Sequence, residues 1–170
     1  GYLYVGASLN GGKVYERLAA FFAEVCGQFA GKVPDLSDIY EKMSEIAEKK
    51  QTTDLKAHPA LYGRRGGPED RETSGFLGLT DENFHPADLI RSYARGMAEE
   101  LAGLYEAFPE AVKKGRNSLT ASGNGLRRNA LLREEVEKVF ALPLTFSGHE
   151  EEAAAGAAIF AGRMARINGL

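Results

Sequence analysis

Three small or turn-forming residues, Gly123, Asn124 and Gly125, lie between a predicted strand and a predicted helix in the stretch TASGNGLRRNALLREEVEKVF. Glycine carries no Cβ, so a ribose or a base can approach the main chain at such a turn. The free N–H groups and the positive end of the following helix suit an anion or a polar ligand. The same residue types also form plain turns in α/β proteins. The turn by itself therefore leaves open whether it binds a ligand or only redirects the chain.

Two well-known nucleotide motifs do not fit this turn. Gly123 and Gly125 match the first glycines of the dinucleotide fingerprint G-x-G-x-x-G, but Arg128 stands where the third glycine should be. The next predicted strand, LPLTFSG, ends in Ser147 and Gly148 rather than in the acidic residue expected ~20 residues on. The sequence also lacks the Gly-Lys-Ser/Thr of a phosphate-binding P-loop. Ordinary Rossmann and P-loop sites are therefore disfavoured.

The spacing of apolar residues predicts helices that alternate with short strands. Helical spacing is clearest from Pro86 to Phe108, and Pro86 suits a first helical turn. The other predicted elements are strands at 2–5, 60–62, 75–79, 117–121 and 142–146, and helices from about 13, at 37–49, 126–140 and 150–167. The helix at 37–49 is polar on most sides and is expected at the surface. The strand–helix–strand–helix order of the last third predicts two neighbouring parallel strands joined by a right-handed crossover.

Composition limits the class of protein. The chain has 170 residues, of which 44% are hydrophobic and 26% charged, which is typical of one globular domain. Its net charge of −3 gives no reason to expect nucleic acid or a membrane as partner, and no stretch approaches the ~20 apolar residues of a membrane span. A single cysteine, Cys26, excludes an intramolecular disulfide and suits the cytoplasm. His58, His85 and His149 lack the spacing of metal ligands, so no metal site is predicted.

Four segments carry motifs of one known family. They are ASLNGGKVYERLAAFF near the start, ALYGRRGGPEDRETSGFLGLT in the centre, the glycine turn with ALPL at 141–144, and EEAAAGAA at 151–158. In this order they resemble the C-terminal domain of the FGGY carbohydrate kinases. The last two match the family's glycine turn, its helix ending in G-x-P-V, and its E-x-x-A-x-G-A-A. The details around SLNGG and GNGLRRN are most similar to the sedoheptulokinase branch of the family.

The resemblance implies an α/β fold of the actin-like ATPase (ribonuclease H-like) class, with a mixed sheet flanked by helices. It implies that residues 1–170 are the nucleotide-binding domain and that the N-terminal sugar-binding and catalytic domain is absent from this chain. ATP or ADP, with Mg²⁺, is the implied cofactor. Asn124 stands where the family commonly has glycine, and Asn tolerates the positive φ of such a turn. The implied nucleotide-binding residues are Asn10, Gly11 and Gly12 on one wall, and Gly123, Asn124, Gly125, Arg128 and Asn129 on the other.

The implied activity is transfer of a phosphoryl group from ATP to a sugar hydroxyl, with a ketose such as sedoheptulose as a candidate substrate. In the family the general base, the main phosphate loop and most of the sugar site precede this domain. No catalytic residue is therefore predicted here, and we expect the chain alone to be inactive. The chain also opens on Gly1 rather than Met and stops directly after a predicted helix, so we expect it to be a piece of a longer protein.

Two other interpretations stay open at this stage. One is an enzyme of the same fold that acts on a non-sugar substrate. The other is a non-catalytic α/β module that binds a protein partner through residues 35–80. Arg64 and Arg65, in the same region, could meet a phosphate or brace the loop against an acidic neighbour. The sequence does not decide whether the chain forms a homo-oligomer.

Overall fold

The computed structural model describes residues 3–63, 74–149 and 151–167. Helices dominate this part of the chain, and the strands are short. In chain order the elements are α1 (Gly12–Ala30), α2 (Leu36–Glu48), β1 (Lys56–His58), β2 (Gly75–Leu77), α3 (Pro86–Glu106), α4 (Glu110–Lys113), β3 (Leu119–Ala121), α5 (Asn124–Arg128), α6 (Ala130–Phe140), β4 (Leu144–Phe146) and α7 (Glu152–Ile167).

The long helix α3 is the centre of the fold. It begins at Pro86, whose fixed φ and missing N–H suit the first helical position. Ile90, Ala94 and Met97 recur at helical spacing and are buried, because α3 packs against α1, α2, α6 and β1. The helix predicted from Pro86 is confirmed, with its end at Glu106. Within the described ranges, no helix combines the length and the apolar character needed to cross a bilayer.

The core lies where α1, α2, α3 and α6 meet. Arg91 of α3 reaches into it, where its Nη1 donates to Glu135 Oε1 at 2.5 Å and its Nη2 donates to the Ala47 carbonyl at 3.2 Å. Because Arg91 and Glu135 are both buried, this ion pair is screened little by water and joins α3 to α6. The apolar side chains of the core include Val14, Leu18, Ile39, Met43, Ile90, Met97, Leu132 and Val136.

The strands form two pairs in the part of the chain that the structure describes. β1 and β2 are antiparallel, with Ala57 opposite Phe76, and β3 and β4 are parallel, with Leu119 opposite Leu144. The helices α5 and α6 connect β3 to β4, so the predicted parallel pair with a helical crossover is confirmed. The described residues contain one parallel and one antiparallel strand pair, as an α/β fold with mixed strands requires. The two pairs form separate two-stranded sheets in this part of the chain.

The helix predicted at 126–140 is two helices. Asn129 leaves helical geometry, with φ −110° and ψ 95°, and its side-chain oxygen accepts a hydrogen bond from the Leu132 N–H at 2.9 Å. It is thus the N-cap of α6, a position that favours asparagine. Arg133 donates to the carbonyl groups of Leu126 and Arg127, which holds the end of α5.

Two predicted strands are wrong. Residues 3–5 belong to no strand, and the side chains of Leu3 and Val5 are 87% and 70% exposed. An apolar segment forms a strand only when a partner strand pairs with it, and none of the described residues supplies that partner. At 60–62 the chain turns instead, because the Gly63 N–H donates to the Ala60 carbonyl at 3.1 Å.

Candidate functional site

A pocket of about 630 Å³ lies between the start of α1, one face of α2 and the turn that follows β3. It brings together segments that are far apart in the sequence, because α1 and α3 both pack on α2, and α6 packs on α3. The lining residues are Ser8, Asn10, Gly11, Gly12, Tyr15, Ser37, Tyr40, Ser44, Met97, Leu101, Ser122, Asn124, Gly125, Leu126, Arg128, Asn129 and Leu132.

Both walls of the predicted nucleotide site meet at this pocket. Gly123 does not line it, but it is the N-cap of α5 and has a φ of 84°, a value at which glycine is strongly favoured. It therefore shapes the turn that carries its neighbours. That these residues bind a nucleotide stays a prediction. The predicted residues that line the pocket are Asn10, Gly11, Gly12, Asn124, Gly125, Arg128 and Asn129.

Three pocket glycines are not needed for packing within the protein. A Cβ placed on Gly11, Gly12 or Gly125 would meet no described protein atom within 4 Å, apart from the adjoining residues and the backbone of the same helix. Gly11 is the N-cap of α1, and Gly12 and Gly125 lie in the first turns of α1 and α5, where glycine is less costly than in the middle of a helix. Their lack of side chains leaves bare main chain at the pocket, which a ligand can approach closely.

Asn10 is buried behind the pocket wall, with 1% of its surface exposed. Its Nδ2 donates to the Gly63 carbonyl at 2.9 Å and to Glu100 Oε1 at 3.1 Å, and its Oδ1 accepts from the Tyr62 N–H at 3.0 Å. Both ends of the side-chain amide are thus engaged inside the protein. Asn10 is suited to holding the Gly11–Gly12 segment in place rather than to contacting a ligand with its side chain.

Two stacked tyrosines form an aromatic wall of the pocket. The rings of Tyr15 on α1 and Tyr40 on α2 are nearly parallel, at 9°, with their centroids 6.1 Å apart. Burial raises the pKa of the Tyr15 hydroxyl to about 12, although a hydrogen bond with the Asn129 side chain lowers it, so the group stays neutral at physiological pH. Tyr15 is 6% exposed, whereas Tyr40 is half-buried and presents more of its ring to the pocket.

Arg127, next to the glycine turn, fastens the turn to β4 and α7. Its Nη2 donates to Glu152 Oε1 at 2.7 Å and to the His149 carbonyl at 2.7 Å, and its guanidinium lies 5.1 Å above the centre of the Phe146 ring. The Ser147 hydroxyl also donates to Glu152, at 2.6 Å. The bonds from Ser147 and from Arg127 lower the pKa of Glu152 to about 2.

The charge around the pocket suits an anionic ligand. Among the described residues, Arg128 alone brings a charged side chain to the lining. The N-terminus of α1 faces the same space; its N-cap, Gly11, has no side chain that could cap it, and its first turn holds no acidic residue. The first N–H groups of a 19-residue helix, at its positive end, are therefore available to a polar or negative group.

Helix α2 forms a wall of the pocket that was not predicted from the sequence. Ser37, Tyr40 and Ser44 line it, although the helix at 37–49 was expected simply to lie at the surface. Their spacing, three and four residues apart, places them on one face of a helix, and this is the signal that could have found them. The spacing does not indicate which other element this face of α2 contacts.

The described residues supply no metal centre. In residues 3–63, 74–149 and 151–167, no group of three or more His, Cys, Asp or Glu side chains could hold a metal ion. Arg64 and Arg65, for which a phosphate contact was considered, lie outside the described residues. A magnesium ion that accompanies a nucleotide would therefore not be held by a cluster of these side chains among the described residues.

Two solved structures share this architecture. The crystal structure of xylulose kinase from Rhodospirillum rubrum matches with a TM-score of 0.61 and 17% identity, covering 79% of this chain and 25% of that chain. The crystal structure of Plasmodium falciparum glycerol kinase with ADP matches with a TM-score of 0.61 and 19% identity, covering 88% of this chain and 29% of that chain. The fold is thus the actin-like α/β class, as the resemblance implied.

The sequence comparison identifies the family. The model of the C-terminal domain of the FGGY family of carbohydrate kinases matches residues 1–165, and the chain belongs to this family. The sedoheptulokinases of Homo sapiens and Mus musculus are each 28% identical to it over 158 residues, which cover 93% of this chain. The chain spans 32% of the length of these relatives.

Proposed function

We propose that the chain is the nucleotide-binding part of an ATP-dependent carbohydrate kinase, and that the pocket between α1, α2 and α5 holds the adenosine of ATP or ADP. One observation carries this proposal. The segment Asn10–Gly12 and the turn at Asn124–Gly125, which the family resemblance assigns to opposite walls of a nucleotide site, line one pocket. The family membership of the chain supports the same conclusion.

The pocket has the properties that an adenosine site needs. Its volume of about 630 Å³ falls within the roughly 300–1,000 Å³ of small-molecule sites. Open main chain at Gly12 and Gly125 lets a ribose approach closely, and the half-buried Tyr40 ring offers an aromatic surface to a base. Arg128 and the N-terminus of α1 provide positive charge for the phosphate end.

We propose a ketose such as sedoheptulose as the phosphoryl acceptor, because the two curated relatives are sedoheptulokinases. Phosphoryl transfer requires positioning of both substrates and neutralisation of the phosphate charge, usually with Mg²⁺. No described cluster could hold the ion, so Mg²⁺ would arrive on the phosphates of ATP and find its protein ligands elsewhere. The single cysteine and the net charge of −3 fit a cytoplasmic enzyme with small-molecule substrates and no nucleic-acid or membrane partner.

We further propose that residues 1–170 form one domain whose sugar-binding and catalytic domain lies elsewhere in a longer kinase. A second pocket of about 390 Å³ separates the segment at Tyr4–Gly6 from β3, and Leu104, Phe108 and Phe140 give it an apolar lining. The far edge of β3 pairs with no strand among the described residues. Apolar surface beside an open strand edge is the kind of surface that another part of a protein covers.

Titration of the chain with ADP, followed by calorimetry and by amide NMR shifts, tests the proposed function. We expect saturable binding, with the largest shifts at residues 11–12 and 124–129. Gly125→Leu should weaken ADP binding about tenfold or more, equivalent to ~1.4 kcal/mol, because its side chain would enter the pocket. The helix should tolerate this change, since leucine is a better helix former than glycine.

The matched control is Gly103→Leu on α3. A Cβ at Gly103 also meets no protein atom within 4 Å, but Gly103 does not line the pocket, so this variant should bind ADP as the unaltered chain does. An unaltered chain that binds neither ADP nor ATP at millimolar concentration would refute the proposal. So would binding that Gly125→Leu and Gly103→Leu affect equally.

A further inference from the structure

We propose that α2 selects the base: the Tyr40 ring stacks on the purine, and the Ser44 hydroxyl oxygen accepts a hydrogen bond from the 6-amino group of adenine. This inference rests on the proposed function, since it assigns residues to the base end of the same pocket. The inference concerns a third wall of the pocket, because Tyr40 and Ser44 lie on α2 and the two glycine walls do not.

The tyrosine wall indicates where the base lies. Tyr15 and Tyr40 are the aromatic residues among those described that line the pocket, and their near-parallel rings stack. Tyr15 is buried, and its hydroxyl makes a hydrogen bond with the Asn129 side chain. Tyr40 is the more exposed ring, so it offers its surface to a planar ligand. Aromatic side chains and bases stack because both present flat, polarisable faces.

Ser44 lies one helical turn after Tyr40 and lines the same pocket. Its Oγ donates its proton to the Tyr40 carbonyl at 3.1 Å. A serine hydroxyl has one donor proton and two acceptor lone pairs, so with the proton engaged the oxygen offers acceptors to a ligand. Adenine carries a 6-amino donor, whereas hypoxanthine and guanine carry a 6-oxo acceptor. The Ser44 oxygen therefore matches adenine and opposes the other two bases.

Titrations with ADP and with IDP, which differ at position 6 of the base, test the role of Ser44. The unaltered chain should prefer ADP. Ser44→Ala should weaken ADP binding about fivefold, since loss of one neutral hydrogen bond has about this effect, and should not weaken IDP binding, because the opposing oxygen is removed. Ser118→Ala, at an exposed serine outside the pocket, is the matched control and should preserve the ADP-to-IDP ratio.

The same titrations test the role of Tyr40. Tyr40→Leu should weaken ADP and IDP alike by about tenfold, because the stacked ring is lost with either base. Tyr40→Phe keeps the ring and should lose much less affinity for both nucleotides than Tyr40→Leu does. Thermal unfolding followed by circular dichroism confirms that each variant is folded before it is titrated.

The outcomes separate the two proposals. If the unaltered chain binds ADP but Ser44→Ala keeps its ADP-to-IDP ratio and Tyr40→Leu keeps its affinity, this inference is overturned while the proposed function stands. If the unaltered chain binds no nucleotide, the proposed function is overturned, and the assignment of a base to α2 with it.

Discussion

Asn10 illustrates at the scale of one residue how a pocket wall is held in place. Its side-chain amide bonds to Gly63, Glu100 and the main chain of Tyr62, three partners that belong to different segments from its own. The Asn10 N–H in turn donates to Ser8 Oγ at 2.9 Å. These bonds fix the main chain immediately before Gly11 and Gly12, whose own lack of side chains gives them no anchor.

Asn10→Ala should therefore lower the free energy of unfolding by about 1–3 kcal/mol, because the partly buried hydrogen bonds that the Asn10 side chain makes with the Tyr62 N–H, the Gly63 carbonyl and Glu100 would be lost. Urea denaturation followed by circular dichroism measures this. The control is Asn117→Ala, at an exposed asparagine, which should change the free energy by less than about 0.5 kcal/mol. Equal midpoints for the two variants would contradict the anchoring role of Asn10.

Gly123 contributes to the turn through its backbone conformation. Its φ of 84° is a property of one backbone position, and the residue type alone makes that conformation accessible. Asn124, which stands where the family commonly has glycine, lies inside α5 and needs no positive φ. The departure from the family pattern at this position thus has no conformational cost in this turn.

At the scale of elements, Arg127 and Glu152 join α5 to α7. Most of the described side chains of α7 are exposed, including the large apolar residues Ile159 and Phe160. The ion pair with Arg127, supported by the Ser147 hydroxyl, is therefore a main attachment of the start of this helix. It also ties α7 to the glycine turn, since Arg127 lies in the helix that the turn begins.

The pH dependence of this attachment follows from Glu152. Hydrogen bonds from Ser147 and Arg127 lower its pKa from 4.5 to about 2. A carboxylate with a lowered pKa in the folded state stabilises that state above its unfolded pKa, and the contribution is lost as the pH falls through the folded value. The docking of α7 should thus be constant from neutral pH down to about 5, and should weaken between about 4.5 and 2.

Amide NMR signals of α7, recorded from pH 7 to pH 2, measure this effect. Asp88 is another carboxylate with a lowered pKa in the folded state: burial raises its pKa, but Lys50 and Thr53 lower it more, so it lies below its usual value. The comparison with Glu152→Gln isolates the contribution of Glu152. In this variant the α7 signals should lose their additional change below pH 4.5, and identical pH profiles for the two proteins would contradict the attachment.

At the scale of the whole molecule, the open surfaces indicate what the chain can do alone. Large apolar side chains are exposed at both described ends, among them Leu3 and Val5 near the start and Phe160 in α7. The second pocket and the free edge of β3 lie beside the first of these. This distribution fits the proposal of a domain that functions in contact with the rest of a kinase.

We accordingly expect the chain by itself to bind nucleotide but to transfer no phosphoryl group. The family resemblance places the general base, the main phosphate loop and most of the sugar site in a preceding region, and binding energy for adenosine alone does not lower the barrier to transfer. A coupled assay with ATP, Mg²⁺ and sedoheptulose, together with other ketoses, measures turnover. Sustained ADP release that depends on added sugar would contradict this expectation.

Much of the architecture could be predicted from the sequence because its signals are local. The helix from Pro86, the parallel pair β3–β4 and the glycine turn between β3 and α5 follow from apolar spacing and from the backbone freedom of glycine. The break at Asn129 was missed, because apolar residues keep helical spacing across it while a side-chain cap interrupts the main chain. The strand expected at 2–5 failed for a non-local reason, the lack of a described partner.

The sequence by itself determined the family and the positions of most helices, and it predicted the residues of the two glycine walls, since each motif and each helical pattern depends on residues close together in the chain. The tertiary structure alone decided that these walls share one pocket and that α2 closes it with Tyr40 and Ser44. The reason is physical: helical periodicity specifies which side chains share a face, but the packing of α1 and α3 against α2 specifies what that face meets.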